Sequence, residues 1–261
     1  MSFKKHLFIP DTQIRPGVPM DHLEAVGNFI LEKQPDVVVQ AGDWADMHSL
    51  SSYDQGTRAG EGARYEADIS AANEGLARLM DPIRKYNSRR RTYKAKQYQP
   101  RFVVTLGNHE NRIARHINSY PVLEGRLSAD DIHFRRYGWD VYPFLEVVHL
   151  DGIQYSHYFP RNAQGRVVQT HRGAPSASIQ ARREMCSSTS GHLQGLDYAI
   201  IQTGARLVHG LIAGSFYMHE EDYLSPQGTA YWRGVVLKNE VEDGHYDPCF
   251  ISLNYLLREY L

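Results

Sequence analysis

The stretch DVVVQAGD, Asp36 to Asp43, runs a β-branched segment straight into a glycine and a carboxylate. Three consecutive valines without polar alternation read as a strand covered on both faces, the pattern of a parallel sheet, and Gly42-Asp43 ends it. Upstream, KHLFIP (Lys5 to Pro10) reads as a second buried strand, stopped by Pro10. Between them, from Pro19 to Gln34, Leu23, Val26, Ile30 and Leu31 fall at helical spacing. Asp21 and Glu24 occupy the first turn of that segment and Lys33 the last, matching the helix dipole. Strand, helix and strand in this order predict a βαβ unit with a right-handed crossover.

The pattern continues outward from this unit. Residues 63–86 carry Ile69, Leu76, Leu79, Met80 and Ile83 at helical spacing, and FVVTLGNHEN (Phe102 to Asn111) is another buried strand ending in Gly-Asn-His-Glu. After about residue 139 the texture turns to β. LEVVHL, the turn pair Asp151-Gly152 and IQYSHYF read as a hairpin. A loop and a short helix at about 177–186 follow, then STSGHLQG. DYAIIQT, Gly204 and RLVHGLIAGSF make a second hairpin. No repeat or linker divides the chain, so residues 1–261 are expected to form one domain. An α/β first half and a β-rich second half predict an α/β fold of two sheets packed face to face, helices outside, with polar clusters converging on one edge.

At 261 residues and 42% hydrophobic residues, the chain can bury a sizeable core. A formal net charge of −1 gives no bulk field toward nucleic acid, so anion recognition must come from local clusters. Two cysteines, Cys186 and Cys249, lie far apart and outside any C-x-x-C pattern, which argues against a disulfide framework or a thiolate zinc site and for a reducing compartment. The N-terminal apolar run is short for a signal peptide and no segment approaches about 18 apolar residues, so a cytoplasmic location without membrane association is expected. Thirteen histidines, several beside Gly, Asn or Asp at strand ends, invite a search for a metal site.

Five polar clusters follow apolar runs: Asp11-Thr12-Gln13, Gly42-Asp43-Trp44-Ala45-Asp46, Gly107-Asn108-His109-Glu110, His157 in YSHYF, and Gly191-His192-Leu193-Gln194. Any one alone is weak, since a Gly-Asp after a strand is usually a turn. In this order they resemble the calcineurin-like metallophosphoesterase family, whose pattern is Asp-x-His, Gly-Asp-x-x-Asp, Gly-Asn-His-Asp/Glu, an isolated His and Gly-His-x-His. The resemblance spans residues 11–194. It implies a four-layer α/β/β/α sandwich of two mixed sheets and a two-metal site that hydrolyses phosphate esters through a metal-bridging hydroxide.

By that resemblance Asp11, Gln13, Asp43 and Gln194 stand at the first metal, and Asp43, Asn108, His157 and His192 at the second, Asp43 being the bridge. His109 contacts the phosphate and protonates the leaving oxygen, with Asp46 as its acidic partner; the alternative is that Asp46 only caps a turn. His149, His171 and His209 compete for the isolated-His position. His157 is preferred because it closes a strand after the Asp-Gly turn and falls between the third and fifth motifs. His209 lies after the fifth motif.

Two departures from the family pattern, Gln13 and Gln194, both fall at the first metal. An amide oxygen in place of an imidazole nitrogen gives an oxygen-only site, suited to Mn²⁺ or Mg²⁺ rather than Zn²⁺ or Fe. The alternative is a weak or empty first site and one working ion.

Substrate class rests on a different segment. RKYNSRRRTYKAKQYQPR, Arg84 to Arg101, carries eight basic residues, no acid, and tyrosines at 86, 93 and 98, a basic insertion matching the charged, stacking surfaces that bind single strands. Arg89, Arg90 and Arg91 are its candidate substrate contacts; the alternative is a solvated loop. Forms with Asp-Thr-Gln near the N-terminus are similar to those carried by tailed bacteriophages, which implies DNA, RNA or nucleotide metabolism in the cytoplasm of a bacterial host. The expected activity is a phosphodiesterase or nuclease. The alternatives are a phosphomonoesterase acting on nucleotides or DNA ends, and a degenerate relative that only binds nucleic acid. No role follows for residues 215–261, where Tyr217, His219 and Glu220-Glu221-Asp222 either line the cleft or form a surface loop.

Overall fold

The computed structural model describes residues 3–52, 56, 60–160, 176–220 and 230–261; His171, Glu221 and Asp222 lie outside them. The chain begins as expected, with β1 (Lys4–Ile9), α1 (Asp21–Lys33) and β2 (Val37–Gln40). There follow α2 (Tyr65–Thr92), β3 (Arg101–Thr105), α3 (Asn111–Ser119) and β4 (Trp139–Tyr142). The second half holds β5 (Val148–Leu150), β6 (Ile153–Ser156), α4 (Ala177–Glu184), β7 (Ser187–Ser190), β8 (Leu196–Thr203) and β9 (Arg206–Ala213). It ends with β10 (Gly234–Glu242), β11 (His245–Ser252) and α5 (Leu253–Tyr260).

Two mixed sheets result. One has strand order β11-β10-β1-β2-β3-β4, the other β5-β6-β7-β9-β8. In the first, β1 to β4 are mutually parallel while β10 runs antiparallel to β1. The β-branched run thus lies at the centre of a parallel sheet, covered on both faces.

Alternation along the strands separates two cores. Leu7, Ile9, Val38 and Val104 face outward against α1, α2 and α5 residues such as Val26, Phe29, Leu76, Leu79 and Leu256. Phe8, Val39, Val103 and Val236 face inward and meet Val148, Ile153, Tyr155 and Leu211 of the second sheet. Ala181 of α4 packs on Ile201 and Val208 across the far face of that sheet. The architecture is a layered α/β sandwich with helices on both outer faces.

Both hairpins form. β5 and β6 pair antiparallel through Asp151 and Gly152, both at positive φ, and β8 pairs with β9. The unassigned C-terminal region supplies two strands and a helix, because β10 returns to pair with β1. The basic segment departs from expectation. Expected as an insertion over about 84–101, it is in its first half, Arg84 to Thr92, the last turns of α2, and Asn87 clamps the return by bonding both the N–H and the C=O of Tyr98.

Candidate active site

The sheet geometry decides what can meet. Because β1, β2 and β3 are parallel, their C-terminal ends share one edge, and each is followed by a loop carrying a candidate ligand: Asp11 after β1, Asp43 after β2, Asn108 after β3. His157 follows β6 and His192 follows β7, which are parallel neighbours in the facing sheet. The five clusters converge where the two sheets open.

Backbone bonds zip the first two loops together. Thr12 and Gln13 N–H groups both donate to the Asp43 carbonyl, at 3.1 and 2.9 Å, and Ile14 N–H donates to Trp44. Glu110, fully buried, accepts three backbone N–H groups, from Asp43 (2.9 Å), Gly107 (2.8 Å) and Ala45 (3.0 Å), fixing the Asp43 loop against the Asn108 loop. Close approach explains two glycines. A Cβ on Gly107 would sit 2.1 Å from Asp43 Oδ1, and one on Gly191 2.3 Å from Asp11 Oδ1. Gln13, Asp43 and His192 all adopt left-handed backbone, a strained choice for non-glycine residues of the kind concentrated at functional sites.

Asp43, His157 and His192 present ligand atoms within 4.8 Å of one another, enough to hold a metal ion. Chemistry supports the fit. His157 Nδ1 donates to the Ala41 carbonyl at 2.8 Å, so a neutral ring turns only a lone pair out through Nε2. That Nε2 lies 2.9 Å from Asn108 Oδ1 and 3.4 Å from Asp43 Oδ2, two more electron-rich atoms. Three acceptors facing one another require a positive charge among them. In the protein alone a proton meets this need: burial works against a charged His157, yet Asp43 raises its pKa to about 9. His192 is the opposite, lowered to about 4 by burial and by His157, and so a neutral donor. Asp11 is also fully buried and accepts the His192 N–H on both carboxylate oxygens at 3.1 Å. Burial, with Asp43 adding to it, pushes its pKa well up. Burial also opposes the charge on Asp43, but His109 and His157 hold it ionised.

His109 sits beside this group. Its Nδ1 lies 3.0 Å from Asp46 Oδ1 and 2.8 Å from the Asp46 carbonyl, so Nδ1 carries the proton and Nε2 turns toward Asp43, 3.7 Å from Oδ2. Burial lowers its pKa, but Asp43 and then Asp46 outweigh this and raise it to about 9. Asp46 is braced by Arg15 and Arg112, each 3.7 Å away, and Arg112 Nη1 donates to the Asp46 carbonyl at 2.7 Å.

The two glutamines differ. Gln13 is buried in the Asp11 loop. Gln194 is already engaged: its amide oxygen accepts from the Ser215 hydroxyl and, at 3.1 Å, from Tyr217. Both lone pairs are therefore used by hydroxyls, contrary to the expectation of an oxygen aimed at an ion. Arg89, Arg90 and Arg91 are not at this site. They precede the N-terminal end of β3, about 16 Å of strand from the C-terminal end that carries Asn108, so parallel pairing puts them on the opposite edge of the sheet. Of the competing histidines, His149 faces out of β5 and His209 bonds Tyr198 at 2.7 Å within β9. Sequence reasoning placed Glu110 in the third cluster without a role of its own and missed Arg112. The i+1 and i+3 positions after His109 on an incipient helix were the available signal.

No protein-family model matches the chain. It is 29% identical over 260 residues to the Gene 54 protein of Mycobacterium phage L5, a match covering 96% of this chain and 94% of that protein. A solved crystal structure aligns with 96% of this chain and all of its own at 12% identity and a TM-score of 0.40, a likeness too low to carry an argument. No helix among the described residues is long and apolar enough to cross a membrane.

Proposed function

We propose that the chain is a metal-dependent phosphoesterase of the calcineurin-like type, acting on phosphodiesters of nucleic acid or nucleotides. The observation that carries this reading is the convergence of Asn108 Oδ1, His157 Nε2 and the Asp43 carboxylate next to a histidine whose outer nitrogen faces them. Asp43, Asn108, His157 and His192 would hold one divalent ion, and Asp11, Gln13 and Asp43 an oxygen-ligated second, for which Mn²⁺ or Mg²⁺ is the natural choice. Two ions so held supply charge neutralisation and water activation for an in-line displacement at phosphorus.

The remaining work falls to the chain's own groups. Imidazolium His109, which Asp43 and Asp46 favour, is the form able to hand its Nε2 proton to the departing oxygen. Asp46 fixes the ring and its Nδ1 proton, while Arg15 and Arg112 hold Asp46. Glu110 keeps the Asp43 and Asn108 loops at a fixed separation. Similarity to a mycobacteriophage protein supports a phage-encoded enzyme working in a bacterial cell.

The test is hydrolysis by metal-stripped protein of bis-p-nitrophenyl phosphate against p-nitrophenyl phosphate, with Mn²⁺, Mg²⁺ or Zn²⁺ restored. The diester should be cleaved faster, with Mn²⁺ or Mg²⁺ effective and Zn²⁺ poor. Preference for the monoester moves the substrate to nucleotides or strand ends, and silence toward both refutes catalysis.

A further inference from the structure

A cleft of about 350 Å³ opens between α3 and the short turn His48–Leu50, separated from the His109 and Asp46 pair by Arg112. Arg112, Arg115 and His116 line one wall, at i, i+3 and i+4 on a single helix face, and His48 contributes from the other. Its described lining holds several serine hydroxyls and no Asp or Glu. Arg112 ties the cleft to the reacting centre, since Nη1 binds the Asp46 and Met47 carbonyls while Nη2 lies 3.4 Å from His109 Nε2. Arg115 is exposed and makes no hydrogen bond or ion pair among the described residues. At the far end Tyr120, 54% exposed, rests its ring 5.0 Å from that of His116.

We propose that this cleft is the subsite for the strand flanking the scissile phosphate, so that the substrate is a single-stranded nucleic acid. Taking the central phosphate as the scissile one rests on the phosphoesterase reading. A small ester has no use for a helix face carrying Arg112, Arg115 and His116 and leading away from the proton donor. A strand does, because its next phosphate carries a charge for Arg115 and its base a face for Tyr120, the pairing of cationic groove and stacking platform that binds single strands. Arg115 follows Arg112 by about 4.5 Å of helix rise on the same face of α3, so the two cations succeed each other along the cleft. The cleft takes over the role that the sequence offered to Arg89, Arg90 and Arg91, which stand on the wrong edge of the sheet.

The two basic surfaces can be set against each other in a binding assay that needs no turnover. Fluorescence anisotropy of fluorescein-labelled hexathymidylate, in EDTA, would compare the wild type with Arg115→Glu, Arg115→Ala and the pair Arg89→Glu/Arg91→Glu. The cleft predicts at least a tenfold weaker affinity for Arg115→Glu, a smaller loss for Arg115→Ala, and a shallower salt dependence in both. The Arg89/Arg91 pair, although it reverses twice the charge, should stay within about twofold. An unchanged affinity in Arg115→Glu, or a larger loss in the Arg89/Arg91 pair, overturns the proposal. Binding that depends on Arg115 in a protein hydrolysing no phosphate ester refutes the catalytic reading and leaves the cleft standing as a single-strand binding site alone. Diester hydrolysis without that dependence refutes the cleft alone.

Discussion

His157 Nε2 stands 2.9 Å from Asn108 Oδ1 while the other nitrogen of the ring is committed to the Ala41 carbonyl. A lone pair facing an amide oxygen is a contact that only a cation or a proton makes favourable. Removing the ring in His157→Ala should therefore lower Mn²⁺ affinity at least tenfold in calorimetric titration. Unaltered affinity would mean the contact is only a hydrogen bond.

His109 is assigned the proton that leaves with the alcohol. Turnover in His109→Ala should fall by about 10²–10⁴ for alkyl leaving groups and much less for p-nitrophenol, which departs without a proton. Asp46→Asn, which keeps the shape but loses the charge, should show the same ordering with a smaller loss. Comparing the two leaving groups across both variants checks the assignment; equal losses would remove His109 from that role.

Glu110 accepts three backbone N–H groups without contacting the reacting atoms. Glu110→Gln replaces one acceptor with a donor that faces N–H groups, leaving buried donors unsatisfied. Urea unfolding should reveal a loss of about 1–3 kcal/mol, with reduced turnover because the Asp43 and Asn108 loops separate. Stability equal to the wild type would contradict this positioning role.

Acid sensitivity should come from histidines buried away from the site. His6 is lowered to about 4 by burial, with Lys238 adding to it, and His22 to about 3 by burial, with His219 adding to it. Depressed folded values mean that the unfolded chain binds the extra protons. The stability is therefore complete above about 6.5 and is lost as pH falls toward 4. Each ring should cost up to about 2 kcal/mol between pH 6.5 and 5. Urea midpoints at pH 7.5 and 5 measure it, and His22→Phe, filling the same space against Phe216, should flatten the dependence.

How far the sequence carried depended on whether the signal was local. DVVVQAGD was legible as a strand and edge because three β-branched residues closed by Gly-Asp favour a short strand covered on both faces, and Asp151-Gly152 as a hairpin because both residues tolerate positive φ. The return of β10 to β1 was not legible, since pairing across more than 220 residues leaves no periodic trace in either strand. The basic segment misled for a related reason. Charge is visible in a sequence, but which end of β3 it reaches depends on strand direction. Gln194 stood where a ligand was expected, yet Ser215 and Tyr217, 21 and 23 residues on and just past the end of β9, occupy its oxygen.

The central claim is that Asp43 joins two cations to one hydrolytic site. Its most direct test is Mn²⁺-dependent hydrolysis of bis-p-nitrophenyl phosphate by metal-stripped wild type and Asp43→Asn, with bound Mn²⁺ counted in each. The wild type should regain activity as Mn²⁺ is added, and Asp43→Asn should stay at background with fewer ions bound, because the shared negative charge is gone. Wild-type turnover in the variant, or a wild type inert with every divalent ion, would contradict the account.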